Sequence, residues 1–294
     1  YAASQVGARP VYDWLGAIQA GAAEWLRGGP PESAACALAP LDAWARGAAL
    51  LGDFNRQAGY HRKWALAGAA TGFLAIRDAP GLDPVAVARV TAWFASVGRA
   101  VQASHDRIQP NPFVNASVNN QGTWAGYAVA AAGVAAGETA LLQWGLRRLG
   151  ETVEQVNGAG ALPQELARGR MALHYHLFTL QALAPLLRIA EANNFGLSPP
   201  GEAALARLSA VVVASLADPG RMASLAGTQQ AHLTNPDASD TGRYMRDAQG
   251  LEVLLGRRAD PTLARMLAPY RPFREPRMGG NVTLLWGPRG AAVA

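Results

Sequence analysis

The sequence predicts an all-α protein, an α/α toroid with a central cleft, on three observations. Apolar residues recur at helical spacing through most of the 294 residues. Strict alternation is confined to "NVTLLW" at 281–286, a short strand or an extended tail. The segments between helical runs are mostly short, which favours antiparallel neighbours. A solenoid of helical repeats is the competing layout, but no fixed sequence period supports it. No stretch reads as a linker, so residues 1–294 are expected to form one domain, and a chain that is 50% apolar is long enough to bury a sizeable core.

The elements follow in order. Residues 11–27 carry Val11, Leu15, Ile18 and Trp25 on roughly one face, and 34–51 repeat the stripe with Leu38, Leu41, Trp44 and Leu50. Helices are then expected over 60–77, 84–104, 120–136, 138–156, 163–193, 200–217 and 261–268. Asp83-Pro84 and Asp260-Pro261 mark starts, because Asp accepts from the first free amides and Pro fits the first turn. Asn157-Gly158 and Gly160 form a break. Between 218 and 247 the periodicity fades into a polar stretch, to be read equally as a functional loop or a mobile surface loop.

The net charge of +5 and pI of about 9.8 suggest an anionic partner. Lys63 is the only lysine beside many arginines, with abundant Ala, Gly and Pro. That usage looks like a GC-rich coding bias, so only the sign of the charge is kept as a functional signal. Cys36 stands alone, which rules out an intrachain disulfide, and its apolar helical context predicts a buried small hydrophobe. No signal peptide is recognised, and a chain starting at Tyr1 is equally consistent with processing or with trimming. The longest apolar run, 124–137, is too short and Gly-rich to span a membrane.

Chemistry concentrates in two stretches. "NPFVNASVNNQGTWAGYAVAAAG" at 111–133 sets five Asn and Gln residues before an apolar helix. Uncharged amides are costly to bury without partners, and Asn120 and Trp124, four apart, share a helix face. The plain reading of Asn119, Asn120 and Gln121 is a helix cap with local turn bonding. "GALPQELARGRMALHYHLFTLQALAPL" at 160–186 places Arg168 seven residues before Tyr175, two turns away on one face. A guanidinium beside a phenol favours the phenolate, although spacing alone favours a surface Arg packed on a core Tyr. His174 and His176 point about 200° apart on a helix, which suits no shared metal. Phosphate-loop, zinc-helix and nucleophile-elbow signatures are lacking, so no metal or cofactor is expected.

These two stretches resemble the alginate lyases of polysaccharide lyase family 5 and their relatives. That family carries Asn-Asn-His-x-x-Trp, then Leu-Pro-x-Glu-Leu, then an Arg seven residues before Tyr-His. Here the interval from the third motif residue to the Tyr is 175 − 121 = 54. Segments 36–52, 62–77 and 270–286 also resemble the family, in the same order. The resemblance implies an incomplete α/α-barrel that cleaves an anionic polysaccharide by β-elimination. It makes Tyr175 the catalytic phenol, with Arg168 contacting the anion, Asn120 neutralising the uronate carboxylate and Trp124 lining the sugar site. Glu165 and His176 match supporting positions. Asn119, His176, Lys63, Arg243 and Tyr244 complete the substrate-binding candidates.

Gln121 stands where the family has His. Gln moves no proton, but its amide donates to a carboxylate. The family's lid lysine is not recognisable, and Lys63 belongs to a different Lys-Trp motif. The expectation is a lyase acting on mannuronate or glucuronate polymers, a bacterial periplasmic or secreted monomer that engages neither nucleic acid nor a membrane. A polysaccharide-binding relative that has lost its base is the alternative. A glycoside hydrolase would need two facing carboxylates, and Glu165, Asp240 and Asp247 show no supporting spacing.

Overall fold

In the computed structural model, residues 2–109, 115–232 and 241–290 are described, with side chains from residue 8 onward. Asn111 and Asp240, both singled out above, lie outside the described residues. Among the described residues the chain is helical, apart from one antiparallel pair of two-residue strands, β1 (Arg274–Glu275) and β2 (Gly280–Asn281). It divides into two compact units: Tyr1–Arg107, Ala125–Gly145 and Arg274–Leu285 form the first; Ile108–Trp124, Leu146–Phe273 and Trp286–Ala294 form the second.

In the first unit, α1 (Ala2–Leu26) pairs with α2 (Pro31–Arg46), and both pack on α3 (Arg56–Ile76), while α4 (Pro84–Asp106) lies against α2 and α3. Apolar stripes at helical spacing explain the packing: α1 buries Leu15 and Ile18, which lie beside Gly68 and Gly72 of α3, and α2 buries Ala34, Ala37, Leu38 and Leu41, with Gly21 of α1 close to Ala37. Trp44 stacks on Trp14 at 3.7 Å between ring centroids. Asp83 caps α4 by accepting from the Val85 amide, as its Asp-Pro start implies. α3 is buried along nearly its whole length, including the charged Arg62 and Lys63. Cys36 corrects its expectation: it is exposed, because it falls on the face of α2 opposite that apolar stripe.

The second unit is built round α8 (Ala172–Ala192), which is buried over most of its length, and α12 (Gln249–Arg257) packs across it. Gly250 permits that crossing, since a Cβ there would sit 2.4 Å from the Leu180 carbonyl carbon and oxygen. Glu252, fully buried, takes a two-pronged pair from Arg271 at 2.8 and 2.9 Å. α9 (Pro199–Ala217) packs on α8 and on α10 (Pro219–Ala226). By length and composition α9 is also apolar enough to cross a membrane, a feature the sequence reading passed over. It buries Leu205, Leu208, Val212 and Leu216 on one face, within this unit.

Other expectations need correction. The run 163–193 is interrupted: α7 (Pro163–Leu166) and a 3₁₀ turn (Gly169–Met171) precede α8, and Gly169 sits at φ 56°, outside helical space. Within 218–247 the structure holds α10 and α11 (Thr241–Arg246) rather than continuous loop. These helices are too short for periodicity to register. Residues 282–286 turn out to be helical, Val282–Trp286, because the Asn281 side chain accepts from the Leu284 amide and starts a turn.

Candidate active site

Nine of the ten candidate site residues fall in the second unit; Lys63 falls in the first. The start of α5 (Asn120–Ala136) organises the cluster. Asn119 caps it: its Oδ1 accepts from the Gln121 amide at 2.9 Å. The carboxylate of Glu165, from α7, meets the same helix end. It accepts from the Asn120 backbone at 2.7 Å and from Asn120 Nδ2 at 3.1 Å on each oxygen. A negative group at a helix N-terminus is favoured by the exposed amides and the helix dipole. Burial nonetheless raises the Glu165 pKa, with the Asn120 backbone bond, the Arg168 charge and the Asn120 side chain acting against it. Asn120 Oδ1 in turn accepts from Gln121 Nε2 at 2.9 Å.

The second arm is Arg168 and Tyr175. Arg168 Nε lies 3.8 Å from Glu165 Oε2, and its guanidinium carbon sits 4.4 Å from the centroid of the Tyr175 ring. The expectation that they share a face holds, but not through a continuous helix. Arg168 precedes the 3₁₀ turn and folds back over a ring at the start of α8. Tyr175 is half-buried and Arg168 is 24% exposed, so this arm stays within reach of solvent. A connected chain of groups therefore runs from Gln121 through Asn120, Glu165 and Arg168 to Tyr175.

Three candidates take packing positions instead. Trp124 is fully buried, donating to the Phe178 carbonyl at 3.1 Å, so it packs in the core. His176 is fully buried between the Leu162 amide, which donates to its Nε2 at 3.0 Å, and the Ala172 carbonyl, 2.7 Å from its Nδ1. This environment selects the neutral ring, whose pKa burial lowers to about 4. Asn119, buried, is occupied with its helix. On α11, Tyr244 is fully buried, its hydroxyl has no hydrogen-bond partner among the described residues, and burial, aided by Asp247, raises its pKa to about 12. Arg243 beside it is partly exposed.

The sequence reading did not combine His174, His232 and Asp247. His232 Nε2 lies 2.7 Å from Asp247 Oδ2, and His174 Nδ1 lies 3.7 Å from the same oxygen. Residues far apart in sequence give no spacing signal, so nothing in the chain pointed to this group.

A helical fold with an Asn-Gln helix start facing an Arg-Tyr pair belongs to the α/α-toroid class, and solved structures agree. The chain superposes on a point variant of alginate lyase A1-III complexed with a tetrasaccharide at a TM-score of 0.81, with 24% identity, covering 96% of this chain and 77% of that one. An alginate lyase from Bacteroides ovatus matches at a TM-score of 0.66, with 17% identity, covering 94% of this chain and 74% of the other. The alginate lyase family model matches residues 14–222. An alginate lyase of Azotobacter vinelandii is 31% identical over 258 residues, 86% of this chain and 66% of its own length. A polysaccharide lyase of Stenotrophomonas maltophilia is 32% identical over 266 residues, 89% of this chain and 74% of its own length. The chain belongs to the alginate lyase family.

Proposed function

We propose that the protein cleaves a uronate-containing anionic polysaccharide by β-elimination, with Tyr175 moving the proton. Family membership supports the reaction class, and one observation carries the assignment: the Arg168 guanidinium lies over the Tyr175 ring while Glu165 ties Arg168 to the amide cluster. In mannuronate and glucuronate the C5 proton and the O4 leaving group lie on the same side. Tyr175 as phenolate takes the C5 proton; the C4–O4 bond breaks as a C4–C5 double bond forms; the phenol returns the proton to O4. The Arg168 guanidinium, stacked on the ring, would hold the phenol in place for that transfer.

Gln121 would donate to the developing enolate-like carboxylate, as an oxyanion site does. Asn120, whose amide and carbonyl are both engaged within the chain, would hold Gln121 in orientation and reach the substrate only by exchanging Glu165 for it. Guluronate, with the opposite C5 configuration, needs groups on two faces and should be the poorer substrate. This reading makes the protein an extracytoplasmic bacterial enzyme acting as a monomer.

The test is the appearance of ultraviolet-absorbing unsaturated uronate from mannuronate- and glucuronate-rich polymers. Tyr175→Phe should abolish nearly all product while polymer binding persists. Gln121→Ala should slow turnover by roughly 10²–10³, the cost of one preorganised donor. Gln121→His should remain folded. A wild type that yields no product on any uronate polymer, beside an active Gln121→His, would establish the second reading: a binding protein whose base was lost at position 121.

A further inference from the structure

The geometry points to a divalent transition-metal site of the zinc class formed by His174, His232 and Asp247. Three separate segments deliver the donors: the first turn of α8, the stretch after α10, and the turn between α11 and α12. One ligand atom from each lies within 4.8 Å of the others. Two imidazole nitrogens and a carboxylate oxygen make a donor set that suits zinc and its first-row neighbours and leaves a position open. Tetrahedral ligands at zinc bond lengths sit about 3.3 Å apart. The 2.7 Å between His232 and Asp247 and the 3.7 Å between His174 and Asp247 bracket that spacing. The two imidazole nitrogens, within 4.8 Å of each other, would close by up to about 1.5 Å to seat an ion.

The second observation is a weakly engaged donor. Among the described residues, buried His174 Nδ1 makes no hydrogen bond of normal length; it pairs with Asp247 Oδ2 only at 3.7 Å, its side chain being 12% exposed. A buried ring nitrogen left so costs free energy, and such groups call for an explanation. A cation between His174 and Asp247 supplies one. The surroundings are fixed in advance: the Ala231 amide donates to the Arg170 carbonyl at 2.6 Å, and the Leu173 amide to Gln230 Oε1 at 2.9 Å. His174 and His232 are therefore held against each other, with ring centroids 5.1 Å apart, before any ion arrives. A bound ion would fasten both flanks of residues 233–246 to α8, beside Tyr175, whose ring meets that of His174 at 5.2 Å.

The experiment uses the full chain without a polyhistidine tag, stripped by chelator and titrated with cobalt(II), read by visible absorption, and with zinc(II), read by calorimetry. One equivalent should bind, with a cobalt d–d spectrum and a rise of several degrees in Tm at saturating zinc, as expected when a ligand binds the native state alone. His174→Ala and Asp247→Asn, each shown to be folded by circular dichroism, should weaken binding by at least roughly tenfold. A folded wild type that gives no cobalt spectrum and no heat with zinc would overturn the site. So would binding that both variants leave unchanged, which would place the metal elsewhere. Neither readout depends on lyase activity, so the site and the proposed reaction can fail separately.

Discussion

Charge and shape can be separated at Arg168. Lysine keeps the charge but loses the planar face that lies over Tyr175. A cation–π stack of this kind is worth about 1 kcal/mol, so Arg168→Lys should lower kcat by up to roughly fivefold. Steady-state rates on the preferred polymer check this; a rate equal to wild type would show that charge alone suffices. Lys63 offers a second test. Burial, with Arg62 adding repulsion, lowers its pKa to about 7 from an ordinary 10.5. The unfolded chain therefore binds one more proton than the native state between those values. This contribution to stability is fully present above pH 10.5 and is lost as pH falls through 7. Lys63→Met should flatten the pH dependence of the urea midpoint across that window, a change on the order of a few kcal/mol. An unchanged slope would refute the assignment.

Helix junctions show which elements could be read and which could not. Starts with a chemical signature were legible: Asp83 and Asp260 cap as their Asp-Pro pairs imply, and Asn157 binds the Ala159 and Ala161 amides at the expected break. The first residue of α5, on which the site depends, was also placed at Asn120. Short helices such as α10 and α11 escaped, because two turns carry too few apolar positions to set a period. The burial of Trp124 was not legible for a related reason: a motif names a residue but not its burial. The group of His174, His232 and Asp247 was invisible because only the folded chain brings it together.

Packing at this scale predicts opposite signs for one substitution. Gly59→Ala in α3, where an added Cβ meets nothing within 4 Å, should gain about 0.5–1 kcal/mol from helix propensity. Gly250→Ala gains the same but drives a methyl into the Leu180 backbone, and overpacking costs about 1–3 kcal/mol or more. Thermal melts should therefore move up for Gly59→Ala and down for Gly250→Ala.

For the whole molecule, a net charge of +5 set against an acidic polymer implies association that weakens with salt. Apparent affinity for a uronate polymer should fall steadily as ionic strength rises through the physiological range. Binding indifferent to salt would argue against an anionic chain as partner. Cys36, the single cysteine, lies exposed on the outer face of α2. One maleimide fluorophore should therefore attach per native chain, giving a built-in reporter for polymer capture by anisotropy without engineering a new position. The same thiol lets two copies become joined covalently in air, so a doubled mass on a non-reducing gel would record oxidation and not a native dimer.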